Sequence, residues 1–432
     1  MAKGKNVLIV GFEQRDGGLQ NALYYSSRGC NVRLTDLKDL ESLGEGVEFL
    51  RSHGVEIISD GYREEDFKWA DIVVKTPAID LSNTYLKYAK KIVSSFSELL
   101  SSPLLDKTGI IIITGMKGKT IAASAVSHTL KTLGKTVHTC GNLGRSAFAE
   151  LSLLERGDVP QYLICEFSSR QLRDAFMILG EDFPEVEITL VTGGSPENRG
   201  VIEGRELVFG EKSRKVVCPQ ALKKTLAEIT GRKMATITSV ESKISRMPLS
   251  IPPSLKNAYA LLSTMGITAS KINTGLKSFR GVPNQSEIIL MNGELIAVND
   301  SSATIPESVG FAYTQFSSFP IHLICGGTGK MLDVSSMLTS LKRSASITVL
   351  DGSFSRNVLI PVLEKNGIEY GGPFSSMKDA VEDSLRYNDF HDGKTDVILL
   401  SPGAMAYEFF SDEFDRGDQF SKAVKALEIS AS

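Results

Sequence analysis

The sequence predicts an α/β protein with largely parallel sheets, and three observations carry that expectation. Short apolar runs alternate with helical patterns along the whole chain. Several of those runs end on a carboxylate, at the strand edge where open α/β sheets hold ligands. One run, Gly109-Ile110-Ile111-Ile112-Ile113, leads into Thr114-Gly115-Met116-Lys117-Gly118-Lys119-Thr120 and then the helical start Ile121-Ala122-Ala123-Ser124. Strand, glycine loop, Lys-Thr and helix is the layout of a nucleoside triphosphate loop.

The elements follow in order. Asn6 to Gly11 reads as a first strand, with a helix through Tyr25, and Val32 to Asp36 as a second strand with an acidic end. Asp71 to Val74 is a further strand running into Thr76-Pro77. Gly11-Phe12-Glu13 stands where a dinucleotide fold has Gly-x-Gly, which argues against a dinucleotide there. A second group of strands is Gly109 to Ile113, Tyr162 to Glu166, Ile188 to Val191 and Lys215 to Cys218, and a helix is expected over Leu255 to Leu262. A third group has a hairpin at Asn292-Gly293, then strands at His322 to Cys325, Ile347 to Leu350 and Val397 to Leu400. Helices are expected at Asn357 to Lys365 and Met377 to Tyr387. The boundaries predict three domains, residues 1–102, 103–280 and 281–432.

Composition narrows the function. A chain of 432 residues with 42% hydrophobic and 23% charged residues is ordinary for a globular protein. A net charge of −3 offers no basic surface for nucleic acid or anionic lipid. The five cysteines lack CxxC spacing and read as reduced thiols. No apolar segment reaches the roughly 18 residues of a membrane span, and no signal peptide is evident. A cytoplasmic monomer without membrane insertion is the expectation.

Backbone N–H groups at a glycine turn and a helix start form a concave anion site. Gly115 and Gly118 permit the turn, Lys119 can reach the β- and γ-phosphates, and the Thr120 hydroxyl can hold Mg²⁺. The alternative is an ordinary strand–helix turn with a solvated lysine. Glu166 and Asp300 close apolar strands, where a carboxylate either binds Mg²⁺ or serves as a helix cap or loop acid.

The order of the motifs resembles the Mur ligases over nearly the full chain. Their ATP loop T-G-T-N-G-K-[ST]-T stands here as Thr114 to Ile121, and their G-N-I-G as Gly141-Asn142-Leu143-Gly144. E-x-S-S-F-Q-L appears as Glu166 to Leu172, and N-D-S-K-A-T as Asn299 to Thr304. G-G-x-G-K appears as Gly326 to Lys330, and L-S-P-x-x-A-S as Leu400 to Ala406 with Arg416-Gly417 beyond. The resemblance implies a three-domain α/β fold: a Rossmann-like UDP-substrate domain, a P-loop ATPase-like ATP domain and a dinucleotide-fold-like C-terminal domain contacting the amino acid and ATP. It implies an ATP- and Mg²⁺-dependent amide ligase of peptidoglycan synthesis, acting on a UDP-muramyl nucleotide through an acyl-phosphate. The nearest pattern is that of members adding D-glutamate to UDP-N-acetylmuramoyl-L-alanine.

Carried over residue by residue, the resemblance makes Lys119, Glu166 and Lys330 catalytic, with Lys330 meeting the D-glutamate carboxylate. It puts ATP on Gly115, Met116, Lys117, Gly118, Lys119, Thr120, Ile121, Asn257 and Asp300. It puts the muramyl nucleotide on Asp36, Thr76, Pro77, Asn142, Ser168 and Gln171, and metal on Thr120, Glu166 and Glu206. Departures accompany the matches. Pro196 takes the place of a metal-binding His, and Glu206 takes that of a carbamylated lysine, either supplying its charge or standing as a solvated helix acid. Asn284, Gln285, Ser302 and Ala406 replace the His and Arg of L-P-H-R, a Lys and a Ser. Amides and methyls do not replace charge at an anion site. Two other readings therefore stand beside the ligase: a ligase-shaped binder of ATP or muramyl nucleotide, and a ligase with a changed acceptor.

Overall fold

The computed structural model describes residues 3–12, 17–43, 46–142, 145–193, 212–245, 247–248, 251–291, 295–317, 319–329, 332–386 and 395–430. Lys330, Glu206, Leu143, Gly144, Pro196 and the Asn292-Gly293 turn lie outside them. The chain forms two compact units: residues 1–248 with 255–277, and 249–254 with 278–432.

The first unit carries two parallel sheets. One contains β1 (Asn6–Val10), β2 (Asn31–Thr35), β3 (Val55–Ile58), β4 (Ile72–Lys75) and β5 (Ile92–Val93), in the order β3-β2-β1-β4-β5. The other contains β6 (Gly109–Thr114), β7 (Val137–Gly141), β8 (Tyr162–Glu166), β9 (Val186–Val191), β10 (Ser213–Cys218) and β11 (Ile237–Ser239), in the order β11-β10-β9-β6-β8-β7. Ile110 to Ile113 of β6 are at most 2% exposed, as a central strand requires. Each buried isoleucine contributes about 1.5–3 kcal/mol through the water it sheds.

One apolar core joins the two sheets. Tyr24 of helix α1 (Gly18–Ser26) stacks on Phe148 with centroids 4.2 Å apart, and Phe96 meets Phe167 edge-on at 4.5 Å.

The second unit has one mixed sheet of β12 (Glu287–Met291), β13 (Leu295–Asn299), β14 (Ile321–Gly326), β15 (Ser346–Leu350), β16 (Gly371–Phe374) and β17 (Asp396–Leu400). Its order is β12-β13-β17-β14-β15-β16, with only β12 and β13 antiparallel. Three sheets of this kind meet the α/β expectation. β3, β5, β7, β11 and β16 were not foreseen, being short or mixed in polarity; β7 is Val137-His138-Thr139-Cys140-Gly141. No helix among the described residues is long and apolar enough to cross a membrane.

Candidate active site

The glycine loop leaves β6 at the centre of its sheet. Gly115 has φ +132°, and a side chain there would meet Thr192 Oγ1 at 2.5 Å and its amide at 2.9 Å. Only glycine suits that backbone and that space. Gly118, at φ +79°, caps helix α2 (Lys119–Thr132). The helix's own hydrogen bonding starts with Ala122 N donating to Gly118 O at 3.1 Å, so its first turn presents N–H groups outward, as an anion site needs. Met116 N donates to Gly193 O at 3.2 Å, fixing the loop to the end of β9. Lys119 Nζ arches back to the carbonyls of Gly115 and Met116 at 3.2 and 3.3 Å. Met116 is half exposed, Lys117 is exposed, and Ile121 turns its side chain into the core.

Glu166 ends β8, beside β6, with Ile113 as its register partner. Thr120 Oγ1 donates to Glu166 Oε1 at 3.0 Å. Glu166 is 2% exposed, and its Oε2 has no hydrogen-bond partner among the described residues. Burial pushes its carboxyl above the ordinary glutamate value, against the opposing Thr120 hydrogen bond and the Lys119 charge. An unpartnered carboxylate oxygen beside a threonine hydroxyl fits a divalent cation, since an ion would satisfy the oxygen and offset its burial. No group of three His, Cys, Asp or Glu that could hold a metal ion occurs among the described residues.

Helix α3 (Ala147–Glu155) follows β7, and between them lies Asn142. Gly141, at φ +106°, packs its Cα against the Glu166 carbonyl, leaving no space for a side chain. Asn142 N donates to that same carbonyl at 3.1 Å. Helix α4 (Ser169–Leu179) begins with a capping box: Gln171 N donates to Ser168 Oγ at 3.3 Å and Ser168 N to Gln171 Oε1 at 2.8 Å. Gln171 Nε2 also donates to Asn142 Oδ1 at 3.3 Å. Ser168, Gln171 and Asn142 are thus brought together beside Glu166.

The residues expected on the UDP-substrate side, Asp36, Thr76 and Pro77, follow strands at the carboxyl edge of the first sheet. β1 and β4 are neighbours on which the strand order reverses, the place such sheets use for ligands. Asp36, just after β2, accepts from Phe12 N at 2.6 Å and Lys38 N at 3.0 Å. Thr76 is fully buried against Gly11, and its Oγ1 has no hydrogen-bond partner among the described residues. Pro77 O accepts from Arg170 Nη1 at 3.3 Å. Asn257, on helix α5 (Lys256–Thr264), donates from Nδ2 to Thr192 O at 3.3 Å, while its buried Oδ1 has no partner among the described residues.

Sequence reasoning missed the charges behind this edge. Lys75 and Asp174 form an ion pair with side chains 1% and 2% exposed, and Arg173 reaches Asp80 at 2.8 Å. Burial pulls the Lys75 ammonium below its ordinary value, opposed by Asp174. A lysine closing the apolar strand Ile72-Val73-Val74 was the available signal.

In the second unit, Asp300 is 7% exposed and follows β13. It accepts from Ser286 N at 3.0 Å and Ser401 Oγ at 2.8 Å, and burial pushes its pKa up to about 7. Asn284, at φ +60°, accepts from Asn299 Nδ2 at 2.9 Å through its own side-chain oxygen. Arg416 is fully buried and donates to Ser301 Oγ and to the carbonyls of Ser301, Ala404 and Met405 at 2.8–3.0 Å.

No protein-family model matches the chain. The UDP-N-acetylmuramoylalanine--D-glutamate ligase of Borreliella burgdorferi (strain ZS7) is 28% identical over 464 residues, covering 98% of each chain. The protein of that name from Caldanaerobacter subterraneus subsp. tengcongensis is 26% identical, covering 98% of this chain and 99% of its own. In fold, the UDP-N-acetylmuramate-alanine ligase of Thermotoga maritima superposes over 98% of this chain and 100% of its own, at TM-score 0.51 and 16% identity. A UDP-N-acetylmuramoyl-L-alanyl-D-glutamate--2,6-diaminopimelate ligase also gives TM-score 0.51, at 12% identity, over 99% of this chain and 93% of that one. With its parallel sheets and its glycine loop joined to a strand-ending glutamate, the chain is similar from end to end to the Mur ligases, most of all to the UDP-N-acetylmuramoylalanine--D-glutamate ligases.

Proposed function

We propose that this protein is an ATP-dependent ligase that joins D-glutamate to UDP-N-acetylmuramoyl-L-alanine in peptidoglycan precursor synthesis. The observation that carries this is the Thr120–Glu166 couple under the glycine loop, with one buried carboxylate oxygen unpartnered, in a chain alike to such ligases over its length.

ATP lies with its phosphates on the loop from Gly115 to Thr120. The N–H groups of the loop and first turn take the phosphate oxygens, and Lys119 leaves the loop carbonyls to meet the β- and γ-phosphates. Thr120 and Glu166 would hold Mg²⁺, which would neutralise negative charge as the carboxylate meets the phosphate. Asn257 offers its unpartnered Oδ1 to the adenine amino group. Asp36 accepts from the uracil side, the Thr76–Pro77 turn lies along the diphosphate, and Asn142 holds the muramyl group.

The substrate carboxylate attacks the γ-phosphorus, ADP leaves, and an acyl-phosphate forms. The neutral amine of D-glutamate then attacks the acyl carbon and phosphate departs. Asp300 on the ribose side and Lys330 on the D-glutamate carboxylate are the second unit's proposed contributions, and Glu206 adds negative charge near the metal. The same reading has the protein act as a monomer in the cytoplasm on dissolved substrates.

The test is ADP release with UDP-N-acetylmuramoyl-L-alanine, with and without D-glutamate, and mass spectrometry of the product. D-glutamate-dependent release with an amide-linked product is expected. No product from any amino acid, with both nucleotides bound, would overturn the ligase reading. A product from a neutral or basic amino acid alone would overturn the acceptor.

A further inference from the structure

One face of helix α4 grips the segment that follows β4. Residues 170, 173 and 174 lie at i, i+3 and i+4, on one side of the helix. Arg170 Nη1 donates to Pro77 O at 3.3 Å, Arg173 Nη2 meets Asp80 Oδ2 at 2.8 Å, and Asp174 pairs with Lys75. Arg173 also donates to Asp174 Oδ1 at 3.3 Å, so this carboxylate is held from two sides. The last pair is the deep one, both side chains at most 2% exposed. A pair so buried repays little of its desolvation, and two apolar side chains of similar volume would pack there at no loss of stability. What charges add is a defined direction and distance. The same helix fixes Asn142 through Gln171, and its cap, Ser168, follows Glu166 by two residues. A single rigid element thus holds the turn after β4, the loop after β7 and the strand-ending glutamate.

We propose that Lys75–Asp174 is a positioning pair, which sets the Thr76–Pro77 turn at a fixed distance from Asn142 and Glu166 so that a substrate lying along the turn presents its carboxylate to the nucleotide. The proposal rests on the ligase reading for what the turn binds; the geometry of the pair does not depend on it.

The test compares wild type with the double variant Lys75→Met/Asp174→Leu, which leaves no charge unpaired, and with Asp174→Glu, which keeps the pair. In the double variant, KM for UDP-N-acetylmuramoyl-L-alanine should rise tenfold or more while KM for ATP stays within twofold. Amide exchange over residues 76–80 should speed up about tenfold and that over 115–120 should not. Asp174→Glu should restore most of both. Unchanged exchange at 76–80 would overturn the proposal, as would faster exchange with an unaltered substrate KM, or equal losses for both substrates. If the double variant does not fold, Asp174→Asn takes its place with the same readouts. If wild type turns nothing over, the ligase reading falls, and exchange at 76–80 still decides whether the pair holds the turn.

Discussion

The two units treat their buried polar atoms in opposite ways. Among the described residues, every buried side-chain oxygen or nitrogen without a partner lies in the first unit, including Thr76 Oγ1, Thr114 Oγ1, Glu166 Oε2 and Asn257 Oδ1. Those four stand at strand ends or beside the glycine loop. In the second unit, Asp300, Asn284, Asn299 and Arg416 are as deeply buried, yet Asn284 and Asn299 bond to each other, Asp300 to Ser286 and Ser401, and Arg416 to main-chain carbonyls. A buried group left unmatched costs about 1–3 kcal/mol. The first unit therefore keeps a cost that a ligand can remove, and the second unit has spent its polar atoms on its own folding. The difference teaches where binding is prebuilt, and where substitutions should act on stability instead.

The sharpest test of that contrast removes a charge from the prebuilt side. Lys119→Ala should weaken ATP binding by about 2–4 kcal/mol, the order for losing a charge-assisted partner of a phosphate. Calorimetry reads it directly, and an unchanged affinity would break the comparison at its first term.

On the self-satisfied side, Asp300 should register in stability. Its folded pKa of about 7 lies well above the ordinary aspartate value, so the folded chain holds the proton more tightly than the unfolded one. The contribution is fully present below about pH 4 and is lost as pH rises to 7, with a slope approaching about 1.4 kcal/mol per pH unit. Asp300→Asn should flatten that slope, because an amide can still accept from Ser286 N and donate to Ser401. Urea unfolding of both proteins at pH 5 and pH 8 would show it. Equal slopes would mean that Asp300 is already ionised in the fold.

The smallest effect concerns the acceptor. Ser302 stands where the family pattern has a lysine, and it is half-buried with its N–H on Asn284 O at 2.9 Å. Ser302→Lys should lower the KM for D-glutamate about tenfold, or about 1.4 kcal/mol, by returning a cation to a dianionic substrate. A higher KM with lost stability would instead extend the self-satisfied character of this unit to the acceptor residues.

Much of this was legible in the sequence for a simple reason. Four isoleucines followed by a glycine loop, and an apolar run closed by Glu166, are local patterns, and local patterns specify strand, turn and cap. β7 was not legible, because Val137-His138-Thr139-Cys140-Gly141 has its polar atoms where a buried strand usually has methyls. Lys75–Asp174 was not legible either, since the partners stand 99 residues apart and only the packing of α4 against β4 joins them. Asn284 read as a lost imidazole. Its positive φ and its bond to Asn299 show that it also builds the turn it sits in, which no residue-by-residue match reveals.

The Lys75–Asp174 pair has a thermal consequence. Hydration of charged groups becomes less favourable on warming, so the penalty for having stripped water from this ammonium and carboxylate shrinks, while apolar contacts gain little more per unit area. Among the described contacts of helix α4 with the first sheet and the turn after it, this ion pair should lose less to heat than the apolar ones. As the molecule approaches unfolding, the turn beside Pro77 should stay on its helix after the surrounding aliphatic packing has begun to loosen.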